Sequence, residues 1–313
     1  MSRDRAIVVG LVLTLATGAA SAEEDLRSKR WGPNDEIGSA NHVTPKRVVE
    51  AARLVRTGKV YPLGIETSAT TPSFPPRTFR ITIVQPGQAG NDGLGRNRAT
   101  YNDDILDGWM GTGSQIDGLG HIGVGHVYYQ NTKLADFAHP TGLTKFGIEK
   151  VPPLVARGVV LDMTAHYGTG LVPEGTAFRR AEIEAVAKAQ GIEIREGDVV
   201  LFHTGWLSLI GKDDARFQAG EPGLGLDGAR YLIGKGVTAV GADNWGLEAV
   251  PGEDPALAFP VHQELIPRNG TYILENMNTG PLVADRAWEF LFVLGQPRIT
   301  GAVQAIVNPV AIR

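Results

Sequence analysis

Apolar positions first fall into a helical rhythm at Val48, Val49, Ala52 and Val55, behind Thr44 as an N-cap and Pro45 at the first helical position, with Gly58 as the stop. Beyond this helix the period changes to two. Residues 59–65 and 78–84 alternate in strand fashion, separated by a threonine- and proline-rich connection carrying Pro72, Pro75 and Pro76. The polar, glycine-rich stretch 85–98 predicts a long loop, either a lid or binding loop or a disordered segment. Short β-branched runs at 159–162, 199–203 and 237–240 predict buried strands. Helices alternate with them: 178–190 and 227–235 carry apolar residues at i, i+3 and i+4, and end at Gly191 and Gly236. Strands dominate again over 271–274, 289–294 and 301–312. The pattern predicts a mixed α/β fold with a long antiparallel component and without a regular βαβ repeat.

The first residues change the picture of where the chain works. Arg3 and Arg5, an apolar run over 6–16 and Ala20-Ser21-Ala22 form a cleavable signal peptide, residues 1–22. The run is far shorter than the ~20 residues of a spanning helix. Export to the periplasm or the medium is expected, with no membrane contact after cleavage. Residues 23–313 then remain, and with no interdomain linker in sight they are expected to form a single domain. The formal net charge of −4 becomes −5 when Arg3, Asp4 and Arg5 leave, and no lysine or arginine cluster offsets it. Nucleic acid is therefore not an expected partner. The chain has no cysteine, so neither a disulfide nor a thiolate ligand can form, and any metal must be held by nitrogen and oxygen.

Candidate chemistry concentrates in Gly111-Thr-Gly-Ser-Gln-Ile-Asp-Gly-Leu-Gly-His121. Its glycines disfavour a helix and weaken a strand interior, so a bent strand or loop with close backbone approach to a ligand is expected. In an extended run Gln115 and Asp117 project to the same face. Ser114 is not in a G-x-S-x-G elbow, because positions 112 and 116 are Thr112 and Ile116. Neither a Walker A motif nor a dinucleotide-binding glycine fingerprint is present.

This segment resembles the signature H-x-G-T-H-x-D-x-P-x-H of the cyclase superfamily, metal-dependent hydrolases that include bacterial kynurenine formamidase and isatin hydrolase. The aspartate falls on Asp117, the last histidine on His121, and the Gly-Thr pair on Gly113 and Ser114. The first histidine falls on Gly111, the second on Gln115 and the proline on Leu119, so the segment looks like an S-Q-x-D-G-L-x-H variant. Four further stretches extend the resemblance in order: Trp31 to Gly38, Arg157 to Asp162, Glu196 to Trp206, and His262-Gln-Glu-Leu-Ile with Tyr272-Ile-Leu-Glu-Asn276. It implies a swivelling β/β/α fold with a barrel-like sheet and outer helices. It also implies a homodimer or homotetramer, for which Trp109 and Met110 before the loop and Tyr128-Tyr129 after it are candidate anchors.

The resemblance implies an exported hydrolase that opens an amide, cyclic amide or lactone through a metal-activated water. Gln115, Asp117 and His262 are the expected metal ligands, and a carbonyl beside a carboxylate and imidazoles tilts the site toward Mn²⁺, with Zn²⁺ the alternative. His121 takes the position of a ligand or a general base, and Glu275, at the end of a buried-looking strand, is the other catalytic candidate. His262 precedes that strand, and the resemblance implies that both converge on the Asp117 loop. His126, Asp243 and Trp245 are candidates for a supporting shell. Full kynurenine formamidase activity is not expected, because two imidazoles of the signature are missing. The opposing expectation is a small-molecule-binding protein of the same fold that has lost its metal with them.

Overall fold

The structure, a computed structural model, describes residues 24–85 and 93–313. The expected signal peptide and part of the 85–98 loop lie outside the described residues. Among the described residues no helix is long and apolar enough to cross a membrane. In chain order the principal elements are α1 (Pro45–Ala52), β1 (Val60–Pro62), β2 (Phe79–Val84), β3 (Asp103–Gly108), β4 (Gln115–Asp117) and β5 (Leu154–Asp162). They continue with α2 (Arg180–Gln190), β6 (Val199–His203), α3 (Leu226–Lys235), β7 (Ala239–Ala242), α4 (Pro260–Asn269), β8 (Tyr272–Glu275), β9 (Glu289–Leu294), β10 (Gln304–Ile306) and β11 (Val310–Ile312).

Among the described residues nine strands form one strongly curled sheet, a half-barrel, in the order β1-β11-β9-β5-β6-β7-β8-β4-β10, with helices outside. Its centre, β5-β6-β7-β8, is parallel. Strands buried on both faces read as continuous apolar runs, and Val199, Val200, Leu201 and Phe202 are all fully buried. Three successive crossovers, through α2, α3 and α4, join these four strands. This regularity escaped the sequence pattern because α4 carries Pro267 in its interior and no side-chain N-cap of its own. The flanks of the sheet are antiparallel.

Helices α2 and α3 end as expected, on Gly191 at φ 71° and Gly236 at φ 76°, a left-handed conformation open to glycine without steric cost. Helix α1 departs from its reading. Thr44 caps it by accepting from the Arg47 amide, but the helix stops at Ala52, Ala51 is its buried residue, and Val49 and Val55 face solvent. A one-residue rotation of the buried stripe follows from how α1 lies against β5 and β9, which local spacing does not record. Strands β2 and β3 leave the body as a separate two-stranded hairpin. Only β2 of this pair is legible in the sequence, since β3 reads Asp-Asp-Ile-Leu-Asp-Gly.

Candidate metal centre

Strand β4 lies between β8 and β10 and runs antiparallel to both. Gln115 is directly opposite Glu275, and Asp117 is directly opposite Gln304. Directly paired residues share a face of the sheet, so a three-residue strand brings two carboxylates and two amides together. The intervening Ile116, with its partners Leu274 and Ala305, points to the other face and is fully buried in the core.

One oxygen of Asp117 accepts from both amides, from Gln115 Nε2 at 3.0 Å and from Gln304 Nε2 at 2.6 Å. Its other oxygen, Oδ2, is buried without a hydrogen-bond partner, and so is Gln115 Oε1. A buried polar atom left unpaired costs on the order of 1–3 kcal/mol, so both oxygens call for a cation or a donor.

Histidine side chains complete the cluster. His121 follows β4 through a turn in which its amide donates to the Gly118 carbonyl. His262 stands in the first turn of α4, ahead of β8. Ligand atoms from Asp117, His121 and His262 all lie within 4.8 Å of one another. The Nε2 of His262 is 3.9 Å from Asp117 Oδ2 and 3.4 Å from Glu275 Oε1. This is a nitrogen and oxygen donor set of the kind a divalent ion accepts.

The charges around the cluster are unbalanced toward negative. Burial, and after it the Asp117 charge, pushes Glu275 up to about 7. Burial also depresses the His121 imidazolium, favouring the neutral ring that a ligand or base must be. At His262 burial acts downward, yet the hydrogen bonds and charges of Glu248 and Glu275 outweigh it and raise the ring well above its ordinary range. The field that draws a proton onto His262 would equally attract a divalent cation.

Some of the supporting residues were not read from the sequence. Glu248 accepts from His262 Nδ1 and from the backbone amides of Val261 and His262. Glu221 is fully buried beside the site. Its Oε2 accepts from the Trp245 amide, its Oε1 has no partner, and burial with the nearby Glu275 charge raises it well above the usual carboxylate range. Nothing local marks Glu221, Glu248 or Gln304, since each acts across a distance in sequence.

The three proposed supporting residues divide. Trp245 reaches the site through Glu221. Asp243 is engaged elsewhere, accepting from Thr204 and from the Gly205 amide and facing His203 Nδ1 at 3.1 Å. His126 is exposed in a tight turn at φ 65°, its backbone rather than its ring tied into the fold. Of the candidate interface anchors, Tyr129 is buried in the core, while Trp109 is exposed.

Comparison with known proteins places this geometry. The family model for Cyclase matches residues 61–249. A crystal structure of a novel cyclase is similar over 91% of this chain and 96% of its own, with 32% identity and a TM-score of 0.83. Isatin hydrolase A from Ralstonia solanacearum has 20% identity and a TM-score of 0.61, covering 87% of this chain and 97% of its own. A protein described as a predicted metal-dependent hydrolase from Bacillus stearothermophilus has 20% identity and a TM-score of 0.54, over 82% and 98%. The last two are likenesses of fold. No match was found among curated proteins.

Proposed function

This chain belongs to the cyclase family, and on that premise we propose that it is a metal-dependent hydrolase that opens an amide, cyclic amide or lactone. The observation that carries this reading is the convergence of Asp117, His121 and His262 around a buried carboxylate oxygen that nothing else satisfies. Those three residues would hold the ion, with the Gln115 carbonyl oxygen on the same face. A bound divalent cation supplies Lewis acidity and lowers the pKa of a neighbouring water. Manganese is assigned ahead of zinc because the Gln115 carbonyl joins the Asp117 carboxylate beside the two imidazoles.

The remaining chemistry falls to the protein. Glu275, with its affinity for protons tuned near neutrality, suits the role of taking a proton from the attacking water and passing it to the departing nitrogen or oxygen. The water oxygen joins the carbonyl carbon, the C–N or C–O bond breaks, and a carboxylate leaves with an amine or alcohol. His121 is assigned to ligation, because its ring belongs to the three-atom cluster, and Glu248 to orienting His262.

We further assign residues 23–313 to one exported domain acting on a small molecule as a homo-oligomer. Pairing of β1 with β11, which brings residues 60–62 and 310–312 together at one edge of the sheet, supports one domain. The exposed β2–β3 hairpin supports self-association. A metal-free binding protein is the competing reading, favoured by Gly111 and by Gln115, whose amide already occupies one Asp117 oxygen. Elemental analysis of protein purified without added metal, followed by assay on a panel of amides, cyclic amides and lactones before and after chelation, separates the two. Near-stoichiometric metal with chelator-sensitive hydrolysis is expected; metal-free protein that cleaves none of the panel would overturn the hydrolase reading.

A further inference from the structure

Position 111, where the family signature carries an imidazole, is glycine here, and its space is taken. A Cβ placed on Gly111 would lie 2.7 Å from the Arg77 Nη1, 2.8 Å from its Cζ and 2.9 Å from Gln304 Oε1. A side chain at 111 requires the guanidinium and the Gln304 amide to move. The Arg77 guanidinium is held there by donating from Nη1 to the Gly111 carbonyl at 2.7 Å, with its Cζ 5.9 Å from the Phe74 ring centroid. It is half-buried, and no ion pair of the described residues involves it. Its charge nevertheless acts on both His121 and Glu275.

A guanidinium has five N–H donors in a planar fork that matches a carboxylate. One of them is committed to Gly111. Placing this cation at the edge of a site crowded with Asp117, Glu248 and Glu275, without pairing it to any of them, leaves its donors for an anionic group that arrives from outside. The wall beside it is aromatic. Phe74 lies 5.8 Å from Trp245 and 6.1 Å from Phe259, and Phe259 lies 5.4 Å from the His262 ring. Phe74 thus connects the guanidinium to the histidine of the metal cluster.

We propose that Arg77, admitted by glycine at position 111, anchors a carboxylate on the substrate, so that the site selects an aryl or similarly flat amide or lactone that carries an acid group. This specificity rests on the hydrolase reading. Phe74, Trp245 and Phe259 take the flat ring, and the carboxylate on Arg77 directs the scissile carbonyl toward the cluster of Asp117, His121 and His262. Glycine at position 111 then exchanges one metal-binding imidazole of the signature for anion recognition.

The test uses benzoate as the anionic probe and benzamide as its neutral counterpart, with binding to the purified full-length protein measured by calorimetry and metal content recorded. Wild type should bind benzoate at least about tenfold more tightly than benzamide. Arg77→Gln should erase that preference while leaving benzamide unchanged. Gly111→Ala, which keeps every charge but drives the guanidinium from its place and presses on the Gln304 amide, should do the same, and circular dichroism confirms that both variants are folded. Equal binding of the two probes by wild type, or benzoate binding untouched in Arg77→Gln, overturns the anchor. Since the readout is binding, absence of turnover or of metal would count against the hydrolase reading alone.

Discussion

The Nδ1 of His262 lies 2.6 Å from a carboxylate oxygen of Glu248, and the same carboxylate accepts from the amides of Val261 and His262 at the start of α4. One side chain therefore performs two tasks. It satisfies backbone donors that a helix N-terminus leaves unpaired, and it fixes which imidazole nitrogen faces Asp117 and Glu275. With Nδ1 engaged, Nε2 is the atom turned toward the cluster. Helix position and ligand orientation are thus set by a residue fourteen positions earlier in the chain.

Replacing Glu248 separates those tasks. Glu248→Gln keeps an oxygen for the helix amides but removes the charge, and Glu248→Ala removes both. Partners that orient a metal-bound histidine contribute roughly 10–100-fold in metal affinity or activity. Both variants should lose affinity in that range in a chelator competition assay. Only Glu248→Ala should also lose about 1 kcal/mol of stability, the usual value of a helix cap. Unchanged metal affinity in both would remove Glu248 from the site.

Ligand and base can be told apart on opposite sides of the cluster. Asp117→Ala should abolish metal content and turnover together, because a methyl group cannot replace a charged ligand. His121→Ala should lower metal occupancy in step with activity, as expected of a ligand. Glu275→Gln should keep the metal while the rate falls by about 10²–10⁴. Elemental analysis beside kinetics reads all three. If His121→Ala retains metal and loses only rate, the two roles are reversed.

The sequence carried the strands and helices whose signals are local. Thr44, Gly191 and Gly236 act within one turn of the helix ends they define, so those ends were readable. Gln115 and Asp117 were readable as a pair for the same reason, two positions apart on an extended strand. What stayed hidden depends on register or on crossing elements. Gln304 matters only because β10 pairs with β4 so as to place it opposite Asp117. Helix α4 was missed because its N-terminal partner is the distant Glu248 and its interior contains Pro267, which a local reading takes as a stop. His126 was overvalued by proximity in sequence, since a tight turn at positive φ carries it to the surface.

Self-association should depend on the β2–β3 hairpin. An isolated two-stranded hairpin is marginally stable in water, and this one exposes Ile81, Ile83, Ile105 and Leu106. Trp109, at its base, is exposed as well. Apolar residues on an unpaired ribbon favour contact with a second copy. Ile83→Lys together with Ile105→Lys should shift the mass in light scattering from oligomer to monomer at micromolar concentration. A wild-type protein already monomeric under those conditions would remove the homo-oligomer proposal.

Acid stability should be governed in part by His42, far from the catalytic chemistry. The ring is buried against Trp31, with Arg30 Nη1 2.9 Å from Nε2 and the Glu196 carboxylate 3.2 Å from Nδ1. A neutral ring that accepts from Arg30 and donates to Glu196 satisfies both neighbours. Burial first, and then the Arg30 charge, outweigh the attraction of Glu196 and lower the ring to about 4. Above pH 6.5 the ring is neutral whether the chain is folded or not, and its contribution to stability is fully present. As pH falls from 6.5 toward 4 the unfolded chain takes up a proton that the folded chain refuses, so stability declines by up to about 1.4 kcal/mol per pH unit. His42→Gln, which keeps an acceptor for Arg30, should be less stable than wild type at pH 7 yet lose less on going to pH 5. Urea denaturation of both proteins at the two pH values measures the difference, expected to be on the order of 2 kcal/mol. Parallel losses in wild type and variant would show that His42 is not the group that titrates.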